Sequence, residues 1–223
     1  MNDQGQRRWA GTTLDARQAA RREQLMTAGF ALLGEQGATA VTVRGVTRAA
    51  QLSERYFYES FTDRDALLLA VHGRVAEQAR AVIATAVAAA AQTTRSGADA
   101  PSEPDAPAIA GLSAFTDFLE EDPRRGRVLL QEAFADQALA RHGVELVPSF
   151  AALLVEQISA RFEGPDDLDA ALSATALVGA LAHVYLGWID GSLPVSRERL
   201  VRHAARLLVA AAGVHSHDDG SLQ

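Results

Sequence analysis

The sequence predicts an all-α protein, and three of its features do so. Alanine dominates an apolar share of 48%, β-branched and aromatic runs at strand spacing are scarce, and apolar residues recur every three or four positions. At 223 residues the chain is long enough to bury a sizeable core without covalent staples. It contains no cysteine, which removes disulfides, thiolate nucleophiles and cysteine-ligated zinc together. The first thirty residues lack a basic stretch followed by an apolar core, so cytoplasmic residence is the expectation.

The elements follow in chain order. Residues 1–13 are polar, include Arg7 and Arg8, and read as a mobile N-terminal arm. Leu25, Ala28, Leu32 and Leu33 mark a first helix over 14–36, with Gly37 placed to end it in a left-handed conformation. Thr42 is set to cap a second, short helix whose inward side is Val43, Val46 and Ala50. Gln51 and Leu52 turn, and Ser53 is expected to cap a third helix through its hydroxyl. On that helix Phe57 and Phe61 share the inward face, while Arg55 and Glu59 point away, flanked by Tyr56 and Tyr58. Three helices, the last two short and joined by a tight turn, have the layout of a helix-turn-helix unit over 14–62.

Thr62 or Asp63 can cap a long fourth helix carrying Leu67, Val71, Val75, Ala79, Val82 and Ala86, to about Ala91. Residues 93–107 hold three prolines and no apolar period, and read as a flexible loop. The helical pattern returns from Ile109, stops before Pro123, and continues through Val128, Leu129, Phe134 and Leu139. Pro148 is expected to open another helix through Phe150 to Phe162, with Gly164-Pro165 a break. Asp166, Asp167 and Asp169 then suit the positive end of a helix dipole, so capping explains them better than catalysis.

Residues 170–189 carry no formal charge, and the run is long enough to cross a bilayer. Its alanine and glycine content, His183, the flanking acids and the absence of an arginine bias favour burial between helices instead. Asp190-Gly191 turns, Ser196 can cap, and a last helix ends at Gly213 before a disordered tail over 214–223. In that tail His215 and His217 beside Asp218 and Asp219 read as solvated rather than as a metal site. Two apolar C-terminal helices exceed what one small domain needs to cover, which predicts a homodimer. Its seam is expected at Ala174, Leu177, Leu181 and Tyr185 on one helix, and at Leu200, Ala204, Leu207, Leu208 and Ala211 on the other.

Every one of the 21 basic side chains is arginine, and their distribution is uneven. Residues 1–75 carry a balance of +2 and the remainder −9, so a surface for nucleic acid belongs at the N-terminal end. The sequence lacks a nucleophile elbow, a phosphate-cradling glycine loop, a dinucleotide fingerprint and a His-Glu-x-x-His pair. No catalytic residue, metal site or cofactor is therefore expected.

The run Thr42-Val43-Arg44-Gly45-Val46-Thr47-Arg48-Ala49-Ala50-Gln51-Leu52-Ser53, followed by Tyr56-Phe57-Tyr58, Phe61 and Asp65-Ala66-Leu67, resembles the N-terminal domain of the TetR family of transcriptional regulators. The pattern departs at Gln51, where glycine is usual, at Gly45, where an acid often closes the capping box, at Thr47 for alanine and at Arg64 for lysine. The resemblance implies an N-terminal helix-turn-helix DNA-binding domain joined by the long helix to a helical ligand-binding and dimerisation domain over 63–213. It implies a homodimeric repressor, released from a palindromic operator on double-stranded DNA by a small-molecule effector, with no membrane partner.

By that resemblance and by outward direction, Ser53 opens the recognition helix, Arg55 and Tyr56 are candidates for base edges, and Glu54 stands at the leading turn. Thr42, Arg44, Tyr58, Ser60 and Arg64 are candidates for phosphate contacts. For the implied effector pocket, Phe115, Phe118, Phe134, Phe150 and Trp188 offer apolar walls, and Gln131, Gln157, His183 and Tyr185 polar groups. Each of these could equally be a core or interface residue, and His183 could lie across the dimer seam. The alternative function is an all-α enzyme or small-molecule carrier with an incidental helix-turn-helix.

Overall fold

The computed structural model describes residues 14–96, 105–159 and 167–214, and among them no strand occurs. The mobile arm, the middle of the predicted 93–107 loop, the Gly164-Pro165 break and the histidine-bearing tail lie outside the described residues.

The chain opens with α1 (Leu14–Gln36). Gly37 follows with φ 86°, a backbone that favours glycine, and its N–H donates to Leu33 O at 3.0 Å. A single 3-10 turn (Ala38–Ala40) leads to α2 (Val43–Ala49), whose first turn is capped as expected: Gly45 N donates to Thr42 Oγ1 at 3.0 Å. Next come α3 (Glu54–Ser60) and α4 (Arg64–Ser96), the latter capped by Asp63, whose Oδ1 accepts from Ala66 N at 2.7 Å. Leu25 and Leu33 of α1, Val46 of α2, Phe57 of α3, Phe61, and Leu67 and Val71 of α4 close one core. Burying a side chain the size of Phe57 contributes about 2 to 3 kcal/mol.

At both ends of the predicted 93–107 loop the structure is helical. α4 adds a further turn to Ser96 because nothing before Gly97 breaks it, and α5 (Ala106–Glu121) begins early with Pro107 in its first turn, where a missing N–H costs nothing. After α5 come α6 (Pro123–Gly126), a π-helical turn (Arg127–Gln131) and α7 (Glu132–Ala135). Three consecutive residues of the π turn, Val128, Leu129 and Leu130, are buried, which an ordinary helical turn on a surface does not allow.

Pro148 does not open a helix. It lies inside α8 (Gln137–Ser159), which starts instead at Asp136, where Oδ1 accepts from Ala138 N at 2.9 Å. The proline forfeits one backbone bond, and packing of α8 against α4 and α9 outweighs that loss. α9 (Asp167–Ile189) and α10 (Arg197–Val214) complete the chain, separated by a turn with Gly191 at φ 79° and by Ser196, whose Oγ accepts from Arg199 N at 3.3 Å. α10 packs on α5, tied there by Arg197 to Asp117 and Glu120. The apolar run 171–189 of α9 is long and apolar enough to cross a membrane, with a mean hydropathy of 1.5.

Candidate functional site

Two surfaces stand out, the outward face of the α2–α3 pair and a cavity between the later helices. The first is aimed by the turn between α2 and α3. Leu52 N donates to Thr47 O and Gln51 N to Arg48 O, the paired bonds of a Schellman motif, and this requires positive φ at Gln51, which has φ 55°. The usual glycine is absent, yet the conformation glycine favours is present. Thr47, buried where alanine is usual, keeps its hydroxyl satisfied by donating to Val43 O at 2.9 Å.

Phe57 anchors α3, fully buried, with Tyr58 edge-on at 5.5 Å and Phe61 at 5.8 Å. α1 fixes the helix from the other side. Gln18 Nε2 donates to Glu59 O, Arg22 Nη1 donates to Ser60 O, and Arg21 lies over the Tyr56 ring at 4.4 Å. What faces outward is Ser53, Glu54, Arg55 and Tyr58 from α3 and Thr42, Arg44 and Arg48 from α2 and its cap, all exposed. Arg55 is 84% exposed and is steered by an i,i+4 pair with Glu59 at 3.0 Å. Arg48 was not singled out by sequence reasoning. The i,i+4 step from Arg44 places it on the same face and is the signal that could have found it.

Three of the expected roles meet corrections. Ser53 caps through its backbone, its carbonyl accepting from Tyr56 N, and its hydroxyl makes no cap bond. The Ser60 hydroxyl is buried without a partner, so a phosphate has no access to it. Arg64 is committed internally: Nε donates to Val41 O at 2.8 Å, Nη2 to Ala38 O at 2.7 Å and to Asp136, and Nη1 to Asp65. It joins the start of α4 to the turn before α2.

The second surface is a cavity of about 420 Å³, walled by α4, α5, the π turn, α7, α8, α9 and α10. Phe115, Phe134 and Phe150 line it as expected. Phe118 does not, being buried beneath the Arg125 guanidinium at 4.3 Å. Trp188 turns away to donate from Nε1 to Val195 O, Gln131 is off the cavity wall, and exposed His183 stands edge-on to Phe134 at 5.4 Å. The Gln157 side chain is outside the described residues.

Leu177, Leu181 and Leu208, expected at a seam between copies, line this cavity instead. Tyr185 lines it too, with its hydroxyl 2.9 Å from Thr116 Oγ1 and donating to Leu112 O, and burial pushes its pKa up to about 12. Ala174, Leu200 and Ala204 are buried inside the one chain, where a partner cannot reach them. Leu207 is exposed, and the Ala211 side chain is outside the described residues. Another side of α9 exposes Leu172 and Ala176, while Gly179 and His183 are exposed at the rim of the cavity, His183 against Phe134.

The two surfaces are joined by the segment 123–136. On one side its Leu129, Leu130, Ala133 and Phe134 line the cavity. On the other, buried Glu132 accepts from Ala38 N at 2.8 Å and from Arg127 Nε at 3.1 Å, Arg127 Nη1 donates to Glu35 O, and Asp136 accepts from Arg64. A Cβ at Gly37 would come within 2.9 Å of Glu132 Oε1, so the glycine that ends α1 also makes room for this carboxylate.

Residues 25–71 match the sequence profile of the bacterial regulatory proteins of the tetR family. No curated protein matches the chain in sequence. Among solved structures, the fold is similar to a TetR-family transcriptional regulator from Streptomyces coelicolor, 16% identical over 90% of this chain and 84% of that one, with a TM-score of 0.65. It is also similar to the fatty acid degradation regulator FadR from Bacillus halodurans, 17% identical over 85% and 94%, TM-score 0.61. A TetR-family regulator from Marinobacter aquaeolei VT8 is 18% identical over 89% and 98%, TM-score 0.57. At such identities the structural likeness carries the fold.

Proposed function

We propose that this chain, which belongs to the TetR family of DNA-binding transcriptional regulators, works as a homodimeric repressor that a small apolar ligand releases from a palindromic operator. The observation that carries this reading is segment 123–136, which borders the cavity with one face and with the other holds the end of α1 through Arg127, the turn after α1 through Glu132 and the start of α4 through Asp136. A ligand that binds one arrangement of that segment better than another shifts the pose of α3, and only that difference in affinity moves the equilibrium.

In this reading α3 enters the major groove, Arg55 and Tyr56 read base edges with Glu54 at the leading turn, and Thr42, Arg44, Arg48, Ser53 and Tyr58 hold phosphates. The second copy covers the exposed side of α9 at Leu172 and Ala176 and reaches the cavity rim at Gly179, where a bare glycine permits close helix approach. That places two recognition helices on one duplex.

Footprinting on the DNA that flanks its own gene tests the proposal. The expected result is salt-sensitive protection of a short palindrome. Arg55→Ala should relax preference at one base position by about 1 to 3 kcal/mol, and Tyr58→Phe should weaken all sites alike. Protection without sequence preference, or none, would return the weight to a carrier or enzyme with an incidental helix-turn-helix.

A further inference from the structure

A single carboxylate, Glu59, joins two arginines beside the outward face of α3. Its Oε1 accepts from Arg55 Nε at 3.0 Å, and its Oε2 lies 3.6 Å from Arg21 Nη2 of α1. Arg21 is itself fixed, with its guanidinium over the Tyr56 ring at 4.4 Å. The backbone at this point is tied to α1 as well, Gln18 Nε2 donating to Glu59 O at 3.2 Å. The Glu59 side chain is 34% exposed against 84% for Arg55, so a half-sheltered carboxylate supports a guanidinium that projects beyond it.

A guanidinium carries its N–H donors in a rigid planar fork. Glu59 takes the Nε donor of Arg55, and among the described residues Nη1 and Nη2 have no partner. In the major groove guanine presents N7 and O6, two acceptors side by side, whereas adenine sets an acceptor beside a donor, thymine offers one acceptor and cytosine a donor. Guanine is thus the base that satisfies both free nitrogens. As a surface ion pair the Arg55–Glu59 contact adds little to helix stability; its consequence lies in where it leaves the guanidinium. An acid in this place also repels phosphate, and so lowers affinity for every DNA sequence alike.

We propose that Glu59 is a positioning residue for base readout: it holds Arg55 so that Nη1 and Nη2 donate to N7 and O6 of one guanine in each half-site. The proposal rests on the reading that α3 enters the major groove, and it adds the base that is read and the residue that aims its reader. Arg21, packed on Tyr56, attracts the second carboxylate oxygen and holds Glu59 against α1. Ordering a long, exposed side chain is a cost of binding, and Glu59 meets it before DNA arrives.

The test takes the full chain, as wild type, Arg55→Ala, Glu59→Gln and Glu59→Ala, through selection from random double-stranded DNA and then titrates chosen duplexes at fixed salt. At the position that Arg55→Ala relaxes, the wild type should prefer guanine by about 10- to 100-fold. Replacing that guanine by 7-deazaguanine, which lacks the N7 acceptor, should weaken wild-type binding about tenfold. Glu59→Ala should reduce the guanine preference about three- to tenfold, the cost of ordering a free side chain. Its affinity for random-sequence duplex should rise, because a negative charge has left the surface. Glu59→Gln, whose amide oxygen still accepts from Nε, should keep most of the preference. A different base at that position, an unaltered preference in Glu59→Ala, or a parallel loss on selected and random duplex overturns the proposal. Equal wild-type binding of guanine and 7-deazaguanine overturns it even if neither Glu59 variant folds. A palindrome selected without guanine at the Arg55 position sinks this proposal alone, whereas selection of no sequence at all sinks the DNA-binding reading with it.

Discussion

Around α3 the buried side chains meet one another closely, with Phe57 against both Phe61 and Tyr58, whereas the later helices leave a cavity of about 420 Å³ between them. The N-terminal helices are also stitched by polar bonds that cross between elements: Gln18 to Glu59, Arg22 to Ser60, Arg64 to Val41 and Ala38. The cavity walls have few such ties and rely on apolar contact. Directional bonds and close packing fix one geometry, while apolar contact around spare volume permits small changes of helix position at little cost. A rigid surface and an adaptable one therefore share a single chain, and Glu132 lies where they meet.

The largest expected effect tests that contrast directly. Phe57→Ala should cost about 3 to 5 kcal/mol, because its site has no slack to collapse into, and denaturant titration followed by circular dichroism reads it. Leu177→Ala, which only enlarges an existing cavity from a half-buried position, should cost less than half as much. Equal losses would erase the distinction between the two regions.

Acid should act on the adaptable side. Burial within α4 disfavours the charged form of His72, which titrates at about 4 in the folded chain, against an ordinary value of 6.5. Between these values the unfolded chain binds more protons than the folded one, so stability falls as pH is lowered through that window and levels off below it. The loss from this group is on the order of 3 to 3.5 kcal/mol at most. His72→Phe, if folded, should flatten the pH dependence of the melting temperature between pH of about 6.5 and 4; an unchanged slope would reject the assignment.

Glu132→Ala should cost about 1 to 3 kcal/mol, because it leaves the buried Ala38 N–H without an acceptor. Hydrogen exchange at Ala38 and its neighbours should accelerate while the amides of α9 keep their protection, and a uniform change along the chain would argue against a local junction. The smallest effect belongs to Gln51→Gly. Relief of positive φ in the α2–α3 turn, less the entropy glycine loses on folding, should stabilise the chain by about 0.5 to 1 kcal/mol, read as a rise in melting temperature. A fall would mean that the Gln51 side chain supports the turn.

The sequence by itself determined that the chain is helical and, for α3, which way the helix faces. Phe57 and Phe61 on one side and Arg55 and Glu59 on the other leave one orientation that buries carbon and solvates charge. It likewise placed Thr42 as a cap and Gln51 in the turn, because those roles depend on neighbours a few residues away. Arg64 and Ser60 were legible as polar residues near that surface but not as internal ones, since their neighbours, Val41, Ala38 and Asp136 for the first and the α1 packing for the second, come from distant parts of the chain. α8 ran through Pro148 because tertiary packing outweighed a local preference.

Only the tertiary structure decided how α9 is turned. Its residues from 170 to 189 carry no charge, so no periodicity separates Ala174, Leu177, Leu181 and Tyr185, which face inward, from Leu172 and Ala176, which do not. The reason is physical: a helix with no polar side has no preferred direction of burial until its neighbours supply one. The same holds for His72, an unremarked position in a long helical pattern, whose unpaired nitrogen exists only because α8 and the π turn close around it.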